Sequence, residues 1–206
     1  MRQTDSAGHG NGRQLRVLAI PGSLRSASYN RRLLEAAVAA SPPDMKIEVV
    51  YGMSAIPPFD EDLEQQTKVG PSAVKQLRSR VGAADGLLIS TPEYNQSMPG
   101  VLKNVIDWLS RPGPEEVLIG KPVGIMGASG GRWGTRLAQA NLRQVLTATE
   151  SLVMPQPGIF VAEASRIFDQ RGTLTDDLTR RMLQKFLSAF HRWLKMTGAP
   201  SLTKAL

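Results

Sequence analysis

No cysteine occurs among the 206 residues, and that one absence removes disulfide bridges, thiolate metal sites and cysteine nucleophiles together. A chain without thiols also suits a reducing compartment, so a cytoplasmic location is expected. Histidine is nearly as scarce. His9 lies in a polar N-terminal stretch and His191 in a helical pattern, so neither a histidine-based metal centre nor a histidine proton relay is expected. No apolar run approaches the ~18 residues of a membrane span, and the N-terminus shows no apolar signal-peptide core; neither a membrane association nor a signal peptide is expected. Two phosphate-loop signatures are missing too: the Gly-Lys-Ser/Thr of a Walker loop and the spaced glycines of a dinucleotide fold.

Charge is plentiful and of both signs. Lys and Arg number 25 against 18 Asp and Glu, a net +7, but the basic residues are scattered instead of forming the clustered stripe that marks a polyanion site. From Thr175 onward, Arg180, Arg181, Lys185, Arg192, Lys195 and Lys204 outnumber Asp176 and Asp177, which reads as the solvated face of a helix. No nucleic-acid partner is expected.

The first 14 residues, MRQTDSAGHGNGRQ, are polar and glycine-rich without apolar periodicity, and are expected to form a disordered tail. From residue 15 to 206 the pattern alternates as one domain. Leu15–Ile20, Lys46–Tyr51, Gly86–Thr91 and Pro122–Ala128 read as strands, with a fifth short strand at Leu152–Met154 or at Ile159–Val161. Asn30–Ala40, Ser72–Val81, Pro99–Ser110, Thr135–Leu146 and Thr175–Met196 read as helices. The last carries Leu178, Met182, Phe186, Phe190 and Trp193 as a stripe. Near-continuous apolar strands, each followed by an amphipathic helix, predict a parallel sheet covered on both faces. The fold class expected is α/β, a five-stranded doubly wound sheet.

Ligands of such sheets sit beyond the carboxyl ends of the strands, near the point where strand order reverses. The loops after strands one, three and four are also the least ordinary segments of the chain. In IPGSLRSASYN, Ser23, Arg25, Ser28 and Asn30 stand within eight residues at the start of a helix. Hydroxyl, amide and guanidinium donors at a helix N-terminus suit a phosphate monoester; a helix cap alone would need only one of them. In STPEYNQSMPG, Pro92 and Pro99 bracket a rigid turn, and Glu93, Tyr94 and Asn95 either edge a planar heterocycle or serve as turn residues. In GASGGRWGT, the glycines let backbone approach a flat ligand, while Trp133 either stacks on something or covers the core.

Taken together, GSLRSASYN, PEYNQSMPGVLKNVIDW and GASGGRWG, in this order and spacing, resemble the NADPH-dependent FMN reductase family of flavodoxin-like proteins, on the side of the bacterial quinone and chromate reductases. The resemblance covers Leu15 to Val161, and P-E-Y-N followed by S-x-P-G-x-L-K-N and I-D-W is its most specific part. It implies FMN as the cofactor and NADPH or NADH as hydride donor. It implies ping-pong transfer through flavin N5 to quinones and other acceptors such as chromate, azo dyes or free flavin. Ser23, Arg25, Ser28 and Asn30 would hold the FMN phosphate. Pro92, Glu93, Tyr94 and Asn95 would line the isoalloxazine and ribityl chain, and Ser129, Gly130 and Gly131 would approach the pyrimidine side, their backbone dipoles stabilising charge on the reduced ring. No protein residue is expected to be catalytic in its own right, because the cofactor carries the chemistry, and no metal is implied. Relatives of this kind pair as homodimers or homotetramers, with the helix Pro99–Ser110 near the contact unless Ile106 and Trp108 bury within the fold; Arg111, past the end of that helix, suggests a surface or interface role. Arg25 and Arg132 at the mouth would attract anionic partners. A flavodoxin-type electron carrier is the alternative, although such carriers tend to be acidic and this chain is basic.

Overall fold

Apolar runs become strands that are buried on both sides. In β1 (Leu15–Pro21), β3 (Gly86–Ser90) and β4 (Pro122–Ala128) nearly every residue is buried, whereas β2 (Met45–Val49) alternates, with Lys46 and Glu48 exposed. The alternation marks β2 as an edge strand with one face on the core. The computed structural model describes residues 13–112 and 116–198.

All strands pair in parallel in the order β2-β1-β3-β4-β5. The fifth position is filled by two short pieces. β5 (Leu152–Val153) pairs with Pro122 and Val123 at the start of β4, and β6 (Ile159–Val161) pairs with Met126 to Ala128 at its end. Both alternatives for the last strand therefore exist. Between them lie Pro155 and Pro157, which have no N–H to give to a ladder.

The helices are α1 (Tyr29–Ala39), α2 (Glu61–Thr67), α3 (Ser72–Ala83), α4 (Gly100–Leu109), α5 (Arg136–Ala148) and α6 (Asp177–Thr197). One side of the sheet meets Leu33, Leu34 and Ala37 of α1 and Leu183, Phe186, Leu187, Phe190 and Leu194 of α6. The other meets Leu77 and Val81 of α3, Leu102 and Val105 of α4, and Leu142 and Leu146 of α5. Successive residues of β1 serve opposite layers: Val17 and Ala19 the first, Leu18 and Ile20 the second, as the two-residue period of a strand requires. Burial of these side chains stabilises by roughly 1.5–3 kcal/mol each, before the entropy of ordering them is subtracted.

Several expectations change. The stripe on α6 is not the one expected: Phe186 and Phe190 are fully buried, but Leu178 and Met182 are 60% and 40% exposed. At ~100° per residue, steps of four advance ~40° each, so a pure i, i+4 row walks off the buried face; Leu183, Leu187 and Leu194 complete the core instead. Trp108 and Ile106 are buried within the fold, at 1% and 2% exposure. Trp108 donates from Nε1 to the Pro57 carbonyl at 2.8 Å and packs edge-on against Phe59. Arg111 holds Glu64 at 2.9 Å and Glu61 at 3.3 Å. That pins α2, a helix absent from the sequence reading although Asp60 caps it and Glu61, Asp62 and Glu64 fill its first turn, as acids do at helix starts. Of the expected tail, residues 1–12 lie outside the described residues. Arg13 pairs with Asp85 at 2.6 Å and Gln14 donates to the Pro43 carbonyl at 3.2 Å.

Candidate cofactor site

The chain runs from β1 to β2 on one side and returns to β3 on the other side of β1, so strand order reverses between β1 and β3. A cavity of about 210 Å³ opens there, walled by all three loops: Ser23, Arg25, Ser28, Tyr29 and Asn30 from the first, Pro92, Glu93 and Tyr94 from the second, and Ala128, Ser129 and Gly130 from the third. It is smaller than the ~300–1,000 Å³ of an enclosing ligand pocket, so a planar cofactor seated here keeps part of its surface outside.

Gly22 leaves β1 by donating to the Ser90 carbonyl at 2.8 Å, and a Cβ on it would come within 3.1 Å of Thr91 Cα. That contact keeps the first and second loops together. The loop then coils tightly: the Arg25 N–H donates to Ser23 Oγ at 3.3 Å, and the Arg25 guanidinium to the Ala27 carbonyl at 3.0 Å. Ser28 is the N-cap of α1, its hydroxyl accepting from the Asn30 N–H at 3.2 Å. Among the described residues the N–H groups of Leu24, Ser26 and Ala27 have no protein partner. Unbonded amides, hydroxyls, an exposed guanidinium and the positive end of an 11-residue helix form a donor set that fits a phosphate dianion.

Asn30 does something other than expected. Its side chain is 2% exposed and turned toward the sheet. Nδ2 donates to the Ala128 carbonyl at 2.8 Å, while Oδ1 accepts from the Ala128 N–H at 2.8 Å and the Ser90 hydroxyl at 2.9 Å. It ties α1 to the ends of β3 and β4, so its polar atoms are already engaged within the protein. Glu93 is likewise committed: Oε2 accepts from the N–H groups of Leu137 and Ala138 at 2.9 and 3.0 Å. A carboxylate from the second loop thus caps α5, where the helix dipole favours it.

Tyr94 and Ser97 close a tight turn by mutual backbone hydrogen bonds of 2.9 and 3.0 Å. The two residues between them, Asn95 at φ 51° and Gln96 at φ 62°, are both left-handed, the geometry of a type I′ turn. Asn95 is therefore a turn residue, and Tyr94, 52% exposed at the rim, is the side chain of this turn that reaches the cavity wall. In the third loop, Ser129 donates to the Val161 carbonyl and accepts from the Ala164 N–H, and the Gly131 N–H is taken by Ser129 Oγ at 3.1 Å. The Gly130 N–H remains unbonded among the described residues and available to a ligand. A Cβ on Gly130 or Gly131 would make only ordinary contacts, 3.8 Å from Tyr29 and 3.5 Å from Ser129; the crowded glycine is Gly127, whose Cβ would collide with Thr135 Oγ1 and lie 2.5 Å from the Thr91 carbonyl. Trp133 does not cover the core, being 67% exposed.

Tyr29 was not foreseen. It lines the cavity, stacks on Phe168 with centroids 6.2 Å apart, and faces Arg25 at 6.0 Å. An aromatic at the first helical position, directly after the serine cap, was the available signal. Among the described residues, no group of acids and histidines could hold a metal ion, and no helix is long and apolar enough to cross a membrane.

The sequence pattern of the NADPH-dependent FMN reductase family matches residues 15–166. An NAD(P)H-dependent FMN reductase of Pseudomonas aeruginosa is 46% identical over 182 residues, covering 88% of this chain and 96% of its own. A 2-hydroxy-1,4-benzoquinone reductase of a Burkholderia species is 36% identical, with 88% and 97% covered. Among solved structures, the flavoenzyme NAD(P)H:acceptor oxidoreductase of Paracoccus denitrificans superposes with a TM-score of 0.81 at 31% identity, covering 89% of this chain and 98% of that one. Sheet order, cavity and sequence agree: this chain belongs to the NADPH-dependent FMN reductase family, whose members are oxidoreductases that use FMN and take their electrons from NAD(P)H.

Proposed function

We propose that this protein reduces quinones with NADH or NADPH, and that Ser23, Arg25 and Ser28 hold the FMN phosphate while Pro92, Tyr94, Ser129 and Gly130 border the ring. The observation that carries the reading is the cavity itself, which brings the donors at the start of α1 together with Pro92, Tyr94, Ser129 and Gly130 of the other two loops. Bound FMN supplies a two-electron relay through its N5 atom. The residues of the chain supply orientation. The α1 terminus and Arg25 fix the anionic end, the ties from Asn30 and Glu93 keep the loops in register, and the Gly130 N–H, aimed at developing negative charge, would stabilise it.

Quinones are favoured as acceptors because a shallow site rimmed by Tyr94 accepts flat molecules by stacking, and because a quinone reductase stands among the relatives. Chromate, azo dyes and free flavin fit the same open face as slower acceptors. The proposal includes a homodimer or homotetramer in the cytoplasm, supported by the family resemblance and by a chain free of cysteine.

The test is an absorbance scan of the purified protein, extraction of the cofactor, and anaerobic addition of NADH or NADPH. A flavin spectrum that bleaches on addition and returns with benzoquinone is the expected result. Extracted FAD, or no flavin after reconstitution with FMN, would overturn the reading.

A further inference from the structure

The turn between β4 and α5 and the first residue of that helix carry two cations and an aromatic ring that the cofactor site does not use. Arg132, Trp133 and Arg136 are all exposed, and Trp133 leaves 67% of its surface in solvent, although an indole ring gains most from being covered. The Arg132 guanidinium lies 4.9 Å from the Trp133 ring centroid, and that of Arg136 lies 5.0 Å from the Phe160 centroid. Aromatic faces hold both cations in place. Among the described residues neither pairs with a carboxylate. The acids of this rim are engaged elsewhere: Glu93 with the Leu137 and Ala138 N–H groups, and Glu163 with Arg166 at 2.6 Å.

Placement decides what these groups can reach. Gly130, two residues before Arg132, lines the cavity, and the Glu93 hydrogen bonds set the first turn of α5 against the second loop. The rim therefore begins where the planar part of the cofactor site ends and continues outward.

Resting on the reading that this site holds FMN and takes a nicotinamide donor, we propose that Arg132, Trp133 and Arg136 bind the adenylate end of that donor and select NADPH over NADH. The two donors differ by a single phosphate monoester on the adenosine ribose. Guanidiniums free of carboxylates grip such a dianion through paired N–H···O bonds, and an arginine is the usual partner of this phosphate in nucleotide sites. Trp133, with one ring face under Arg132, turns its other face to adenine for stacking. NADH keeps the stacking and loses the ionic contacts.

Titration of the FMN-loaded protein with 2′,5′-ADP and with AMP, which lacks only the 2′-phosphate, followed by tryptophan fluorescence and calorimetry, reads this binding without turnover. The wild type is expected to bind 2′,5′-ADP roughly tenfold more tightly or better, about 1.4 kcal/mol, with the gap narrowing at high salt. R132A and R136A should each erode that preference and leave AMP affinity within about twofold, well under the factor of ten that 1.4 kcal/mol represents; W133A should weaken both nucleotides alike. Equal affinity for the two nucleotides in the wild type, or an unchanged ratio in both arginine variants, overturns the proposal. So does a W133A variant whose oligomeric state changes while its nucleotide affinities do not, since Trp133 would then be an interface residue. Flavin absorbance, read on every sample, reports the cofactor assignment separately.

Discussion

Asn30 and Ala128 hold each other through both polar groups of one residue: the Asn30 amide donates to the Ala128 carbonyl and accepts from the Ala128 N–H, each at 2.8 Å. The Ser90 hydroxyl adds a third bond at 2.9 Å. One buried side chain thereby fixes the start of α1 against the ends of β3 and β4, the three elements whose loops form the cavity. With its polar atoms engaged, it is a structural tie beneath the site.

Replacing Asn30 removes those bonds and leaves buried backbone groups unpaired, at about 1–3 kcal/mol for each group left unsatisfied. Asn30→Ala is expected to lower thermal stability by several degrees, since ~1 kcal/mol moves a domain of this size by about 2–4 °C. Asn30→Asp should be worse, because a carboxylate oxygen would face the Ala128 carbonyl. Unfolding curves of both variants check this; an unchanged midpoint for Asn30→Asp would show that the bonds carry no weight.

Arg25 is exposed, its fork donating to the Ala27 carbonyl and facing the Tyr29 ring at 6.0 Å; neither contact reaches the core, so its loss should spare the fold. Arg25→Ala is expected to weaken FMN binding by about 1.5–3 kcal/mol, the worth of a hydrogen bond to a charged group. Arg25→Lys should recover part of it, keeping the charge without the planar fork. Fluorescence titration of the apoprotein with FMN measures both, and riboflavin, which lacks the phosphate, should not distinguish the variants from the wild type.

Two carboxylates predict an acid limit. Hydrogen bonds from Lys195 and then His191 hold Asp44 below its usual value of 3.8, and the Thr179 backbone N–H does the same for Asp176, the cap of α6. A carboxylate with a lowered folded-state pKa contributes stability that is present above the unfolded value and lost as pH falls through the folded one. Melting temperature should therefore decline below pH ~4, and less steeply in Asp176→Asn and Asp44→Asn. Both carboxylates are only half-buried and stay in contact with solvent, so the effect should be small and should shrink in salt. A wild-type slope retained in the double variant would rule these two groups out.

Acceptor choice follows from the shallow site. Strong discrimination needs buried polar groups that a wrong substrate leaves unpaired, and the rim instead offers Tyr94 and an open cavity of about 210 Å³. Quinones should react fastest, with chromate, azo dyes and free flavin slower but measurable. Rates with anionic acceptors should fall with ionic strength, because exposed Arg25 and Arg132 attract them over a screened distance. A panel of initial rates at low and high salt tests this; one acceptor exceeding all others by several orders of magnitude would reveal a dedicated pocket.

Much of this was legible in the chain itself. Apolar runs the length of strands, separated by amphipathic helices, dictate a parallel sheet, because such runs are stable only when covered on both faces. The three unusual loops follow strands one, three and four, and strand-end loops are where such sheets bind ligands. Residue type and chain position suffice there, since both facts are local. What each polar side chain does within those loops was not local. In sequence Asn30 looks like a phosphate donor and Glu93 like the edge of a planar ligand or a turn residue, yet one grips Ala128, 98 residues away, and the other caps a helix 44 residues away. A hydrogen-bonding group takes whatever partner the packed chain brings within ~3 Å, and burial forces it to take one. Trp108 and Trp133 divided in the same way: the first is buried against Phe59 and bonded to the Pro57 carbonyl, both about 50 residues earlier in the chain, while the second stays 67% exposed. The periodicity of the chain determines its elements and their order, and only the contacts between distant segments decide which polar groups are left free to meet a ligand.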